Sequence, residues 1–349
     1  MRLRWAVLVA VLVPLLGGCS MLGYYSQAAQ GQLDLLRRAT PIAEELNNAA
    51  VPAPLKAKLR EVLRIRAFAS RELGLPDNGS YKRYADLGRR YAVWNVFAAP
   101  EFSIEPVTSC FPIAGCVSYR GYFAEAGAQA QAAELRARGY DVYVGGVPAY
   151  STLGWFDDPV LSTFIGYPDA ELARLMFHEL AHQLLYVKDD TRFNESFAVT
   201  VEQAGVMRWL AENGNARERE QYARSQQIRS GFVALFAKYR AILAQYYALD
   251  LPAQQMRLGK AQRFAEMREE YRQLKASWGG FAGYDRWFGN DLNNATLASI
   301  ALYTDFVPAF QAILAREGGD LPRFYAAVKQ LARLPKDERD ARLRALSVH

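Results

Sequence analysis

The chain changes rhythm twice, and each rhythm predicts a different kind of element. From Ala28 to Leu75 apolar positions fall at helical spacing, and the stretch reads as two helices broken near Val51-Pro52-Ala53-Pro54. From Tyr91 to Ser151 the pattern shortens into β-branched and aromatic runs bounded by Gly and Pro. Tyr91–Phe97, Phe102–Ile104, Val117–Phe123 and Tyr140–Val147 read as strands, with a helix over Ala124–Arg138 between the last two. From Asp169 onward the chain reads almost wholly as helix. The fold class predicted is α+β: a small mixed or antiparallel sheet in the N-terminal half, packed on a mainly helical C-terminal half. Three regions follow residues 1–18: an N-terminal helical segment over 19–90, a small sheet region over 91–168 and a helical region over 169–349. No repeat or low-complexity linker separates them.

The first residues break this pattern. Arg2 and Arg4 precede an apolar stretch from Trp5 to Leu16, too short for an ordinary transmembrane helix. Leu16-Gly17-Gly18-Cys19 follows. It resembles a bacterial lipobox, which implies that 1–18 is a signal peptide and that Cys19 carries lipid. A plain secretory signal is the alternative. Ser20, with no Asp after the Cys, implies by the same resemblance an outer-membrane protein facing the periplasm. No later run of 18 apolar residues occurs, so the body is expected to be tethered to the membrane by lipid at Cys19 alone.

Composition narrows the classes further. Of 349 residues, 51% are hydrophobic and 22% charged, which excludes a disordered or collagen-like chain. The net charge of +6 falls to +4 when Arg2 and Arg4 are removed. With no Lys/Arg block of five, a nucleic-acid partner is not expected. Once Cys19 is lipidated, Cys110 and Cys116 are the remaining pair in an oxidising compartment, and a short-loop disulfide is expected. Two unpaired buried thiols are the alternative.

The chemistry concentrates in residues 178–182, His-Glu-Leu-Ala-His. Two His at i and i+4 stand one turn apart on a helix face, so both imidazoles can reach one metal ion. Glu179 sits beside them, where a carboxylate can take a proton from water. Two of the chain's three His are used here, and the third is His349. A catalytic zinc wants a third protein ligand and an open position, so that ligand should be a carboxylate. The candidates are Glu195, Glu202, Asp189 and Asp190. Glu195 and Glu202 are seven residues apart, about 10 Å along a helix, and cannot both hold one ion. Glu195 is the ligand expected, with Glu202 hydrogen-bonding a ligand His. One Zn²⁺ per chain is the expected cofactor.

His178-Glu-Leu-Ala-His-Gln183, followed by Phe193-Asn-Glu-Ser-Phe-Ala198 and Glu202, resembles the gluzincin metallopeptidases. The wording is nearest to aminopeptidase N-like enzymes, with their HExxH-x18-E pattern and N-E-G-F-A string. That resemblance implies a zincin-like fold, His178, His182 and Glu195 as zinc ligands, and Glu179 as general base. Two departures stand out: twelve residues separate His182 from Glu195, and Ser196 replaces the Gly. A G-A-M-E-N string is missing. A wider likeness, through Cys110–Cys116, Tyr119-Arg-Gly-Tyr122, Gly154-Trp-Phe-Asp157 and Leu292–Leu297, is to a family of bacterial lipoproteins described as predicted aminopeptidases.

The expected activity is zinc-dependent peptide hydrolysis on a peptide or protein substrate. An envelope endopeptidase and a non-catalytic lipoprotein scaffold or chaperone are the alternatives. Tyr303, then Tyr284, are the candidates for the oxyanion donor. The strand from Tyr140 to Ser151 is the candidate substrate edge. Asp157 or Asp158 could hold an α-amine, though a loop or capping role is the default. Trp155 and Phe156 could line a subsite, with packing inside as the default.

Overall fold

The computed structural model describes residues 23–111, 115–289, 292–301 and 306–346. The signal segment 1–18, Cys19, Tyr303 and His349 therefore lie outside the described residues.

Prolines set the early boundaries. Helix α1 covers 23–38. A two-residue strand, β1 (Thr40–Pro41), interrupts the helical run before α2 (Ile42–Asn47) and α3 (Ala53–Arg71). Pro52 caps α3 and Pro54 sits in its first turn, where a missing N–H leaves no bond unmade. The expected pair of helices is thus three. Strand β2 (Arg83–Ala85) follows, then β3 (Val93–Ala99), β4 (Ser109–Phe111), β5 (Gly115–Val117), β6 (Arg120–Tyr122), α4 (Glu125–Ala137), β7 (Asp141–Val147) and β8 (Val160–Leu161).

The central sheet has the order β6-β3-β7, antiparallel throughout, with Val96 opposite Val144 and Arg120. Side chains along β3 alternate between two covered faces. Val96 and Ala98 pack with Ala128 and Ala132 of α4, whose small residues let the helix lie close. Phe97 and Ala99 pack on the opposite face against Ala295. A second small sheet joins β1 antiparallel and β8 parallel to β2. β4 and β5 form a separate ladder in which Cys110 lies opposite Cys116, and a disulfide joins the two.

The rest is helical: α5 (Asp169–Leu184), α6 (Thr191–Asn213), α7 (Ala216–Tyr247), α8 (Ala253–Ser277), α9 (Asn294–Ala301), α10 (Val307–Arg316), α11 (Leu321–Ala332) and α12 (Lys336–Leu346). The architecture is α+β. One core runs from Leu35 of α1 through Phe177 of α5 and Phe197 of α6 to Leu343 of α12, so the first and last helices share it. A second cluster, centred on Phe232, Phe236 and Tyr271, lies between α7 and α8. Among the described residues, no helix is long and apolar enough to cross a membrane.

Several local expectations are corrected. Phe102–Ile104 is a turn and bend, and Val117–Phe123 splits between β5 and β6. Asn293 and Asn294 serve the fold. They tie α9 to the sheet, bonding the carbonyls of Val142 and of Pro100 and Glu101. Tyr284 is stacked on Phe232 at 3.9 Å between ring centres, inside the second cluster. Trp155 and Phe156 are 67% and 49% exposed, because the tight 151–158 loop turns them outward.

Candidate metal centre

Helix α5 divides along its length. Leu172, Met176, Phe177 and Leu180 are fully buried on one side, while His178, Glu179 and His182 lie along the other. Pro168 holds the cap position of α5, and Asp169 in the first turn takes a 2.6 Å bond from Lys58. Helix α6 approaches α5 closely at Gly205, where a Cβ would lie 2.7 Å from Phe177.

The short connection between these helices is fixed by its own polar residues. Asp189 is left-handed, with φ 65°, and turns the chain. Asp190 caps α6 by accepting from the Phe193 N–H, and Arg339 of α12 donates to its other oxygen at 3.0 Å through Nε. Asn194 bonds Val187 both ways: its Oδ1 accepts from the Val187 N–H and its Nδ2 donates to the Val187 carbonyl, each at 2.7 Å. This clasp sets where α6 starts, and therefore where Glu195 faces. Ser196 accepts from the Phe306 N–H at 3.1 Å.

The structure brings His178, His182 and Glu195 together. One ligand atom from each lies within 4.8 Å of the others. His178 Nε2 is 3.2 Å from both Glu195 Oε2 and His182 Nε2, and His182 Nε2 is 3.6 Å from Glu195 Oε1. His178 Nδ1 is 2.9 Å from Glu202 Oε2. Glu202 is 1% exposed and also accepts from Arg174 Nη1 at 3.1 Å. Asp189 and Asp190 point elsewhere: Asp189 accepts from the Cys116 N–H, and Asp190 belongs to the capping pair above.

The electrostatics follow from this crowding. Burial works against a charge on His178, yet hydrogen bonds and charges from Glu195 and Glu202 raise its pKa to about 10. Burial likewise opposes ionisation of Glu195, but the two imidazoles hold its pKa down to about 2. For Glu179 burial dominates, and its pKa is raised. The donors suit a metal ion. With Nδ1–H donating to Glu202, His178 turns the Nε2 lone pair toward His182 Nε2 and Glu195, a borderline-soft N/N/O set of the kind zinc takes. His182 Nδ1 is buried without a hydrogen-bond partner among the described residues.

Two cavities meet at this centre, and His178, Glu179, Val147 and Ala149 line both. One, of about 360 Å³, runs past Asn95, Tyr119 and Tyr186. The other, of about 570 Å³, runs past Arg174, Gln226 and Arg229. The chain after β7 forms a shared wall, so the edge strand of the sheet leads directly along the cleft. Over residues 23–343 the sequence matches the family model described as "Putative aminopeptidase". The chain belongs to this family. Among curated proteins and among solved structures, none matches it.

In this family member Asp158 acts on the cleft wall and not at the His178, His182 and Glu195 cluster. It is buried, and it accepts from the Thr152 N–H, Thr152 Oγ1 and Ser151 Oγ, closing the loop that ends the edge strand. Burial raises its pKa to about 6 against those hydrogen bonds. Sequence reasoning missed Arg174, Arg229, Tyr119 and Tyr186. Tyr119 lines the smaller cavity with Glu179 and Glu195, and its phenol pKa is raised by burial first and then by the charge of Glu195. Tyr119 stands in the Tyr119-Arg-Gly-Tyr122 string, which carries no chemical signal of its own, and nothing local marks the other three among the chain's 20 Tyr and its many Arg.

Proposed function

We propose that this protein is a zinc-dependent peptidase, an aminopeptidase of gluzincin type, held at the bacterial envelope by lipid on Cys19. The observation that carries the reading is the convergence of His178, His182 and Glu195 at one point beside Glu179, where two cavities meet. Zn²⁺ on those three ligands would supply Lewis-acid polarisation of the scissile carbonyl and ease deprotonation of the attacking water.

The chain's own groups do the rest. Glu179 accepts the proton from the attacking water and returns it to the leaving amine. Its burial suits that task, because a raised carboxyl pKa makes it a stronger base. Glu202 holds the His178 ring by its Nδ1–H, so the ring cannot rotate its Nε2 away. Tyr119 and Tyr186 line the same cavity and supply phenol donors for a developing oxyanion. A peptide laid along the backbone after β7 would bring its carbonyl to Glu179.

The test is incubation of the zinc-loaded chain with free and N-acetylated peptides, read by mass spectrometry. Stepwise loss of N-terminal residues from free peptides alone is the expected result. Glu179→Gln should lower turnover by about 10²–10⁴-fold. Internal cuts in both peptide sets would make the protein an endopeptidase, and full biological activity of Glu179→Gln would remove hydrolysis from the account.

A further inference from the structure

The cavity between Glu179 and α7 holds donors that the hydrolytic step does not use. Arg174 is committed elsewhere: its Nε bonds Glu171 at 2.7 Å and its Nη1 bonds Glu202 at 3.1 Å. Arg229 is placed differently. It pairs with two carboxylates at longer range, 3.5 Å from Glu171 and 3.6 Å from Glu202, and is in hydrogen-bonding contact with Tyr284. Its side chain is 32% exposed and lines the cavity. Gln226 lines it too, and its Nε2 is buried without a hydrogen-bond partner among the described residues. A buried donor left unpaired carries an uncompensated desolvation penalty, which a ligand acceptor there offsets.

The acceptors of this network are already shared, since Glu202 serves Arg174 and His178 together. Facing the cavity beside these pairs are the partly exposed guanidinium of Arg229 and the amide of Gln226, between apolar walls of Val147, Val233 and Val307. A planar anion with two oxygens fits such a fork. We infer that this cavity binds a carboxylate of the substrate through Arg229 and Gln226. The inference rests on the peptidase reading for calling the ligand a substrate, but the binding site is independent of turnover.

The distance restricts the substrate. Arg229 reaches Glu202, and Glu202 reaches His178, through contacts of 3.6 and 2.9 Å. Allowing for the widths of carboxylate and imidazole, Arg229 lies within about 11 Å of the ligand nitrogens, and an extended peptide advances roughly 3.4 Å per residue. The carboxylate therefore sits within about three residues of the scissile bond. Two sources share this chemistry, the free C-terminus of a short peptide and an Asp or Glu side chain.

The test uses the full chain carrying Glu179→Gln, which binds without turning over, and calorimetric titration with three tetrapeptide series. One ends in a free acid, one in a neutral amide, and one in an amide with Glu in the last two positions. The neutral amide should bind about tenfold or more weaker than the acid if the C-terminus is read, or than the Glu amide if a side chain is read. Adding Arg229→Gln should reduce that preference to under about twofold, and Arg229→Lys should restore part of it. Equal binding of all three series, or binding of none, overturns the inference, and this comparison needs no Arg229 variant to fold. Hydrolysis of all three series at equal rates by the wild-type chain removes the carboxylate site but leaves the peptidase reading. A carboxylate preference in binding with no hydrolysis does the reverse.

Discussion

Helix pairs α5–α6 and α7–α8 are neighbours in sequence and are built on opposite rules. The α5–α6 interface buries ionisable groups: Glu202, His182 and Asp190 are each under a tenth exposed, and every one of them has a charged group beside it. The α7–α8 interface buries rings. Phe232 of α7 stacks on Tyr284 at 3.9 Å and Tyr271 of α8 on Phe288 at 3.7 Å, the turn after α8 supplying the second ring each time, and the ion pairs Lys238–Glu270 and Lys275–Asp285 stay at the rim. Burying charge is costly even when it is paired, and apolar residues of equal volume would do as well or better for stability. The polar interior of α5–α6 is thus explained by chemistry, and the aromatic interior of α7–α8 by packing.

Three changes break or sharpen that contrast. The largest stability effect is expected on the aromatic side: Phe232→Ala should cost about 3–5 kcal/mol in urea unfolding. Metal stoichiometry of the folded fraction should stay the same. A parallel loss of metal would mean that the two interfaces are not separable.

The next concerns the cleft wall. Asp158 holds its proton more tightly in the folded chain than an ordinary carboxyl does, with a pKa near 6. Its contribution to stability is complete below about pH 4 and lost as pH rises through 6. Asp158→Asn removes this titration. The stability gap between mutant and wild type should move by about 3 kcal/mol in the mutant's favour from pH 4 to pH 7. A gap independent of pH would show that Asp158 is not the titrating group.

The smallest of the three is the most specific. Glu202→Gln keeps the size of the side chain but weakens its hold on the His178 Nδ1–H. Zinc affinity, measured by chelator competition, should fall about 10–100-fold. An unchanged affinity would reduce Glu202 to a partner of Arg174 and Arg229 alone.

The parts of the site that were legible in the sequence are those fixed by one helix. His178, Glu179 and His182 share a turn, so helical geometry alone places them together. The α+β class, the Asp141–Val147 strand and the Glu125–Ala137 helix were legible for the same local reason. Glu195 could be nominated as a carboxylate just inside the next helix, but its facing depends on the Asn194–Val187 clasp, which periodicity does not register. Arg229 comes to the site from α7, 51 residues beyond His178, and no local pattern reports such a contact. Trp155 and Phe156 misled because hydrophobicity predicts burial, whereas the Asp158 clamp decides which way their loop turns.

The central claim is that His178, His182 and Glu195 hold one metal ion in service of Glu179. Elemental analysis of the purified chain after zinc loading and desalting tests it directly. The account predicts about one zinc per chain in the wild type and in Glu179→Gln, and near none in a folded His178→Ala/His182→Ala variant. A wild-type chain without zinc, or a double variant that keeps it, would contradict the account.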